Sequence, residues 1–371
     1  MATIRPDPTP EGVAPARVLL AGLSAAKLLI HVVLANRYGY FRDELYFLDC
    51  GRHLDWGYVD HAPLIGLVAR LALFLGGSLP ALRVFPALAG AALVALTGLI
   101  AWRLGGGRFA QCLAGLAVIV MPIYLGIDSI LTMNAFEPLF WMGCVYVLIR
   151  IIQTGSSRLW IPFGVLAGLG LMNKHSTALF LLSVAVGLLL SPERRELRKP
   201  GPWLACAVAF LIFLPNLWWQ AQHGFPTLED LRNVARIGKN VVLGPAAFVG
   251  QQVLIIHPVL LPVWLAGLGY LLVARRGRFR GLGFAFVAFF LMLFALKGKN
   301  YYLAPIYPML LAAGAVAIEA GLARGPSGLR GRGPKVGIVV LILAAGVVTA
   351  PLVLPLLPPE KYVAYQAWLG I

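Results

Sequence analysis

The chain has 371 residues, of which 60% are hydrophobic and only 12% charged, with a mean hydropathy of +0.82. A soluble domain of this size could not hide so much apolar surface, so composition excludes an ordinary globular enzyme and indicates an all-α polytopic membrane protein. The formal net charge of +16 would suit a nucleic-acid binder. The basic residues, however, stand in short clusters between apolar segments, the pattern of the positive-inside bias, and no nucleic-acid partner is expected.

Residues 1–16, rich in proline and small residues, read as a cytoplasmic tail too polar to fold alone. Apolar segments then run approximately over 18–34, 63–76, 79–104, 109–127, 137–152, 159–172, 176–190, 202–221, 245–274, 281–296, 301–322 and 336–357. At about 1.5 Å per residue, the second falls well short of the ~20 residues that a hydrocarbon core requires, so it reads as a juxtamembrane or re-entrant helix. That leaves about eleven transmembrane helices, with the N-terminus in and the C-terminus out. Eighteen of the 31 basic residues then face the cytoplasm, among them Arg103, Arg108, Arg150, Arg158 and the group Arg194, Arg195, Arg198 and Lys199. The expected organisation is a membrane module over 17–357, a first outer loop over 37–78, a second over 222–244 and a short outer tail over 358–371. The opening apolar run is too long for a cleaved export signal and leads straight into a loop rich in functional groups.

Cys50, Cys112, Cys144 and Cys206 lack metal-ligand spacing and three lie inside apolar segments, so neither a zinc site nor a disulfide framework is indicated. With no phosphate-binding glycine loop, a nucleotide-driven pump is not expected.

Five of the fifteen acids, Asp43, Glu44, Asp49, Asp55 and Asp60, fall in the first outer loop. Acids beside a bilayer are costly unless solvated, paired or used. As neighbours, Asp43 and Glu44 cannot point the same way on a helix, which predicts one reacting group and one structural partner for Arg42 or Arg52; solvated acids on an interfacial helix are the bland alternative. In Trp56–Leu64, Asp60 and the titratable His61 accompany aromatics suited to the headgroup level. Asp128, Asn134 and Glu137 mark a span boundary facing the same compartment. Asn134 and Glu137 share a helix face, although Asn134 could equally cap the helix. Lys174-His175, Lys297 and Lys299 lie on the outer side against the charge bias. A phosphate-bearing ligand would explain them, with Tyr301 and Tyr302 as hydroxyl donors; snorkelling is the alternative. His223–Asn240 reads as a polar loop, a lid or a connector.

Taken together, the acidic pair after the first span, the aromatic segment ending in Pro63-Leu64, the boundary Leu131-Thr132-Met133-Asn134-Ala135-Phe136-Glu137-Pro138 and the run Lys297–Leu310 resemble the dolichyl-phosphate-mannose-protein mannosyltransferase-like group. These are GT-C fold glycosyltransferases of the family-39 type, which includes the lipid A aminoarabinose transferase. The resemblance covers about residues 17–355. It implies transfer of a monosaccharide from a polyprenyl-phosphate donor to a lipid, glycan or protein acceptor, on the outer side of the cytoplasmic (inner) membrane. Asp43 matches the family's base in an inverting displacement, and Lys174 and Tyr301-Tyr302 match the region that handles the lipid phosphate. Asn134 and His61 stand where many relatives have Asp and Lys. A sugar phosphate carries its own good leaving group, so one carboxylate base and phosphate-neutralising cations suffice. The expected set is Asp43 and Glu44 at the reacting centre, with His61, Lys174, Lys297, Lys299, Tyr301 and Tyr302 at the donor phosphate. Arg42, Asp60, Asp128, Asn134, Glu137 and His175 are expected to support them. No cofactor is firmly indicated, and a divalent cation is left open. The competing readings are a transporter or flippase for a lipid-linked or anionic solute, and a polysaccharide polymerase or ligase.

Overall fold

A computed structural model describes residues 14–237, 243–273 and 277–370, in which every regular element is helical. Six helical stretches are long and apolar enough to cross a membrane. They are α1 (Arg17–Leu34), α4 (Leu79–Arg103), α7 (Met133–Thr154), α10 (Pro200–Gln222), the 3₁₀ turn Asn300–Ile306 with α15 (Tyr307–Arg324), and α17 (Arg332–Val353). Between α1 and α4 lie α2 (Arg42–Arg52) and α3 (Leu64–Phe74), which pack on one another; α3 is the segment too short to cross. The shorter bundle helices are α5 (Arg108–Val120), α6 (Pro122–Ile127), α8 (Trp160–Asn173), α9 (Thr177–Leu189), α12 (Pro245–Ile256), α13 (Leu261–Val273) and α14 (Arg280–Ala295).

The expected count of eleven spans is therefore not reached by helix length and composition, which give six spans, or eight if each sharply bent pair crosses once. Three of the expected spans form helices of only 14, 13 and 16 residues, α8, α9 and α14, and two are broken at proline. The run 109–127 breaks at Met121-Pro122, and 245–274 breaks at His257-Pro258, where the chain turns by 95°. Pro258 has no N–H to continue the helical ladder, and His257 adopts φ +100°, outside helical space.

Residues 226–236, expected as loop, form the amphipathic helix α11 (Pro226–Arg236), with Leu228 and Leu231 exposed. Lys239 and Asn240 lie outside the described residues. The expected outer tail carries α18 (Pro359–Trp368), after the four-residue helix α16 (Ser327–Arg330) and α17.

The largest apolar cluster joins α4, α5, α7, α13, α14 and α15. Small residues let helices approach closely, as membrane bundles require. At the α13–α15 crossing, a Cβ on Gly267 or Gly314 would stand 1.9 Å from the Leu310 carbonyl oxygen or 1.8 Å from that of Val263. By contrast, α1, α10 and α17 are mostly exposed, with large apolar side chains such as Val33, Leu211 and Val347 facing outward.

One ion pair lies wholly inside the bundle. Lys27 Nζ on α1 is 2.9 Å from Asp128 Oδ2 and donates to the Tyr124 carbonyl at 3.0 Å, with both charged side chains essentially inaccessible. Asp128, expected beside the reaction centre, is thus committed to a helix–helix contact. Gly90 leaves room for the pair: a Cβ there would meet Asp128 Oδ2 at 2.3 Å. Gly90→Ala should therefore destabilise the protein by about 1–3 kcal/mol, as overpacking does, read as a lower melting temperature in detergent. An unchanged value would show that the pair can shift freely.

Candidate active site

The site is assembled where α1, α8, α10 and α14 end and α4, α7, α9 and α15 begin. Its framework is the Glu44–Arg83 pair. Arg83, on α4, donates from Nε to Glu44 Oε1 at 3.0 Å and from Nη2 to Oε2 at 2.9 Å. It also holds the carbonyls of Ala35 (3.0 Å), Arg37 (2.8 Å) and Gly39 (2.6 Å) as the chain leaves α1. Glu44 is fully buried and accepts further N–H bonds from Phe41 at 2.8 Å and Leu131 at 3.0 Å. The structural partner of the acidic pair is therefore Arg83, not Arg42 or Arg52. A lone arginine within an apolar run was the available signal.

With Glu44 fixed inward, its neighbour turns outward by one helical step. Asp43 remains 43% exposed, and its only ion pair among the described residues is with the solvated Arg42, at 3.1 Å. Asp43, like Glu137, lies within electrostatic range of the Tyr301 phenol, beside the second cluster.

That cluster centres on Lys174. Its ammonium contacts Glu137 Oε2 at 2.8 Å and Asn134 Oδ1 at 2.9 Å, and sits 4.3 Å from the centre of the Tyr302 ring. Two of its three N–H donors are thus engaged, leaving one for a ligand. Ser176 donates to Glu137 Oε1. Asn134 lies inside α7 while Thr132 occupies the cap position, so it does not cap this helix. Lys299 also approaches the Tyr302 ring, 6.0 Å from its centre, and Tyr301 packs edge-on against Tyr302. The loop is held from α12: Gln252 Nε2 donates to the Asn300 carbonyl at 3.0 Å, and Asn300 donates to Gln251. Neither glutamine stood out in an apolar run.

Other expected members lie apart. Lys297 is exposed, in a left-handed turn (φ +51°), and joins no contact in this cluster. His61 is buried among the rings of Tyr46, Phe47 and Tyr58, with Nδ1 donating to its neighbour's carbonyl, Ala62, at 2.9 Å. Burial pulls its pKa below the ordinary histidine value, so it holds no positive charge for a phosphate at neutral pH. Asp60 accepts from Tyr46 at 2.7 Å on the exposed side. His175, its pKa also lowered by burial, bonds Asn216 at 3.0 Å; Asn216 in turn donates to the Trp56 carbonyl at 2.8 Å. His175 thus helps dock the first outer loop onto α10. Among the described residues no three His, Cys, Asp or Glu side chains stand together as a metal site.

Residues 60–219 match the family model of dolichyl-phosphate-mannose-protein mannosyltransferase. The lipid A galacturonosyltransferase RgtD of Rhizobium johnstonii is 27% identical over 218 residues, covering 57% of this chain and 46% of that protein. The chain thus spans about half the length of this curated relative. Among solved structures, ArnT from Cupriavidus metallidurans bound to undecaprenyl phosphate superposes with a TM-score of 0.71 at 19% identity, over 95% of this chain and 69% of the other. The apo oligosaccharyltransferase of Archaeoglobus fulgidus gives 0.59 at 13% identity, over 95% and 56%. The fold is that of the GT-C glycosyltransferases.

Proposed function

We propose that the protein is a membrane glycosyltransferase that moves a monosaccharide from a polyprenyl-phosphate donor to an acceptor hydroxyl, with inversion and with Asp43 as base. One observation supports the reading: a half-exposed carboxylate paired only with a solvated arginine, and a lysine held with one N–H to spare, both lie near the Tyr301-Tyr302 pair. The acceptor oxygen attacks the anomeric carbon while Asp43 takes its proton. The carbon–oxygen bond to phosphate breaks on the opposite side, and the electron pair leaves with the polyprenyl phosphate. Lys174 and Lys299 offset the charge gathering on that phosphate. No general acid is needed, because a phosphate leaves without protonation. The structurally similar ArnT, solved with undecaprenyl phosphate, supports the donor class, and RgtD supports a sugar transfer in the cell envelope. The cationic clusters at the far end of the bundle favour a site facing away from the cytoplasm, on the outer side of the inner membrane.

The test is to incubate purified protein with a panel of polyprenyl-phosphate sugars and lipid, glycan and protein acceptors. Transfer from at least one donor is expected; binding of all donors without transfer would sink the reading. Lys299→Gln should raise the donor KM roughly tenfold with little change in acceptor KM, the cost of one charge-assisted contact. The buried Lys27–Asp128 pair is an observation that favours a transporter. That reading predicts accumulation of a labelled solute in proteoliposomes without any covalent transfer.

A further inference from the structure

A second polar cavity, of about 920 Å³, opens at the opposite end of the bundle from Asp43. Its walls are the last turn of α7, the end of α9 and the 3₁₀ turn Pro192–Arg198, which runs at 113° to α9 and so lies across the bundle rather than along it. Six charged side chains line it, four cations and two anions. Lys199 is spent on Glu196, and Arg278 caps α7 through the carbonyls of Ile152 (3.3 Å) and Gln153 (3.2 Å). Arg194 and Arg195 have no ion-pair partner among the described residues and are exposed. Two buried acceptors in the same wall also lack donors: Glu193 Oε2 and Gln153 Oε1. The Gln153 amide is fixed by its Nε2 bond to the Arg103 carbonyl at 2.6 Å, which leaves that oxygen turned away from its only partner.

Unpaired guanidinium groups beside unpaired buried acceptors call for a ligand that is both anionic and a hydrogen-bond donor. A bare phosphate satisfies the arginines and leaves the acceptors orphaned. We propose that this cavity binds a phosphate ester bearing hydroxyl groups, as in the headgroup of phosphatidylglycerol. The phosphate lies against Arg194 and Arg195, and the hydroxyls donate to Glu193 and Gln153. A lipid is the favoured source because the cavity sits where spans end, at the depth where basic pockets between helices take anionic headgroups.

The experiment uses delipidated full-length protein in detergent. Native mass spectrometry and thermal melting are followed with added phosphatidylglycerol, phosphatidic acid, phosphatidylcholine or soluble glycerol phosphate. One retained phosphatidylglycerol per chain is expected, with a rise in melting temperature that phosphatidylcholine does not give. Arg194→Gln combined with Arg195→Gln should weaken this binding roughly thirtyfold, two surface cations' worth. Both side chains are exposed, so folding is not at stake. Glu193→Gln should abolish the preference for phosphatidylglycerol over phosphatidic acid. Equal stabilisation by soluble glycerol phosphate would assign the same site to a free phosphate ester instead of a lipid. The proposal is overturned if phosphatidylcholine binds equally well, or if the double variant keeps its phosphatidylglycerol. None of these readouts depends on sugar transfer.

Discussion

Asp43→Asn should lower sugar transfer by roughly 10²- to 10⁴-fold, the contribution of a positioned general base, while leaving the melting temperature almost unchanged. The two halves of this expectation have different origins. Asp43 is 43% exposed and its ionic partner Arg42 is 85% exposed, so losing the carboxylate removes a contact of about 0–1 kcal/mol. Its place in the first turn of α2 adds a favourable dipole interaction of about 0.3–1 kcal/mol. Both are small beside the stability of a packed bundle. A proton acceptor within reach of the acceptor hydroxyl is not small, because an amide cannot take its place. Donor KM should stay near wild type, since the lysines proposed to meet the phosphate are untouched. Retention of full activity in this variant would remove Asp43 from the chemistry. A loss of activity together with a fall in melting temperature would point to a folding role.

The pattern of apolar runs made α1, α4, α7, α10, α15 and α17 legible in the sequence, because each stays apolar for about the thickness of a bilayer. The run 245–274 is continuous in hydropathy yet turns by 95° at His257-Pro258, because hydropathy averages over Pro258 whereas backbone hydrogen bonding does not. That Asp43 and Glu44 face different ways followed from helical geometry alone. Arg83 as Glu44's partner did not, since the two meet only in the tertiary fold, 39 positions apart in sequence. The Lys174 cluster was half visible. The spacing of Asn134 and Glu137 predicted a shared face, and both meet Lys174. His61 and Lys297 looked equally suitable, yet one is enclosed by rings and the other is exposed in a left-handed turn. Charge type can be read from a chain, but burial of a single side chain depends on neighbours distant in sequence.

Arg83→Met should destabilise the protein by about 3–5 kcal/mol, the usual consequence of stranding a buried charge. Glu44 would keep its two backbone N–H bonds but lose both guanidinium contacts, with no route to water. Three carbonyls at the exit of α1 would lose their donor at the same time. This second loss separates the pair from an ordinary buried salt bridge. Arg83→Met with Glu44→Leu removes both charges, and in a simple pair would restore much of the stability. Here the buried Ala35 carbonyl and Leu131 N–H would remain without a partner, while the exposed Arg37, Gly39 and Phe41 groups could turn to water, so the double variant should stay below wild type. Thermal melts of the two single variants and the double variant in the same detergent make the comparison. Near-complete recovery in the double variant would mean that the backbone bonds around Arg83 contribute little. The first outer loop, and Asp43 with it, would then be held by its contacts to Asn216 and Gln220 on α10 rather than from α4.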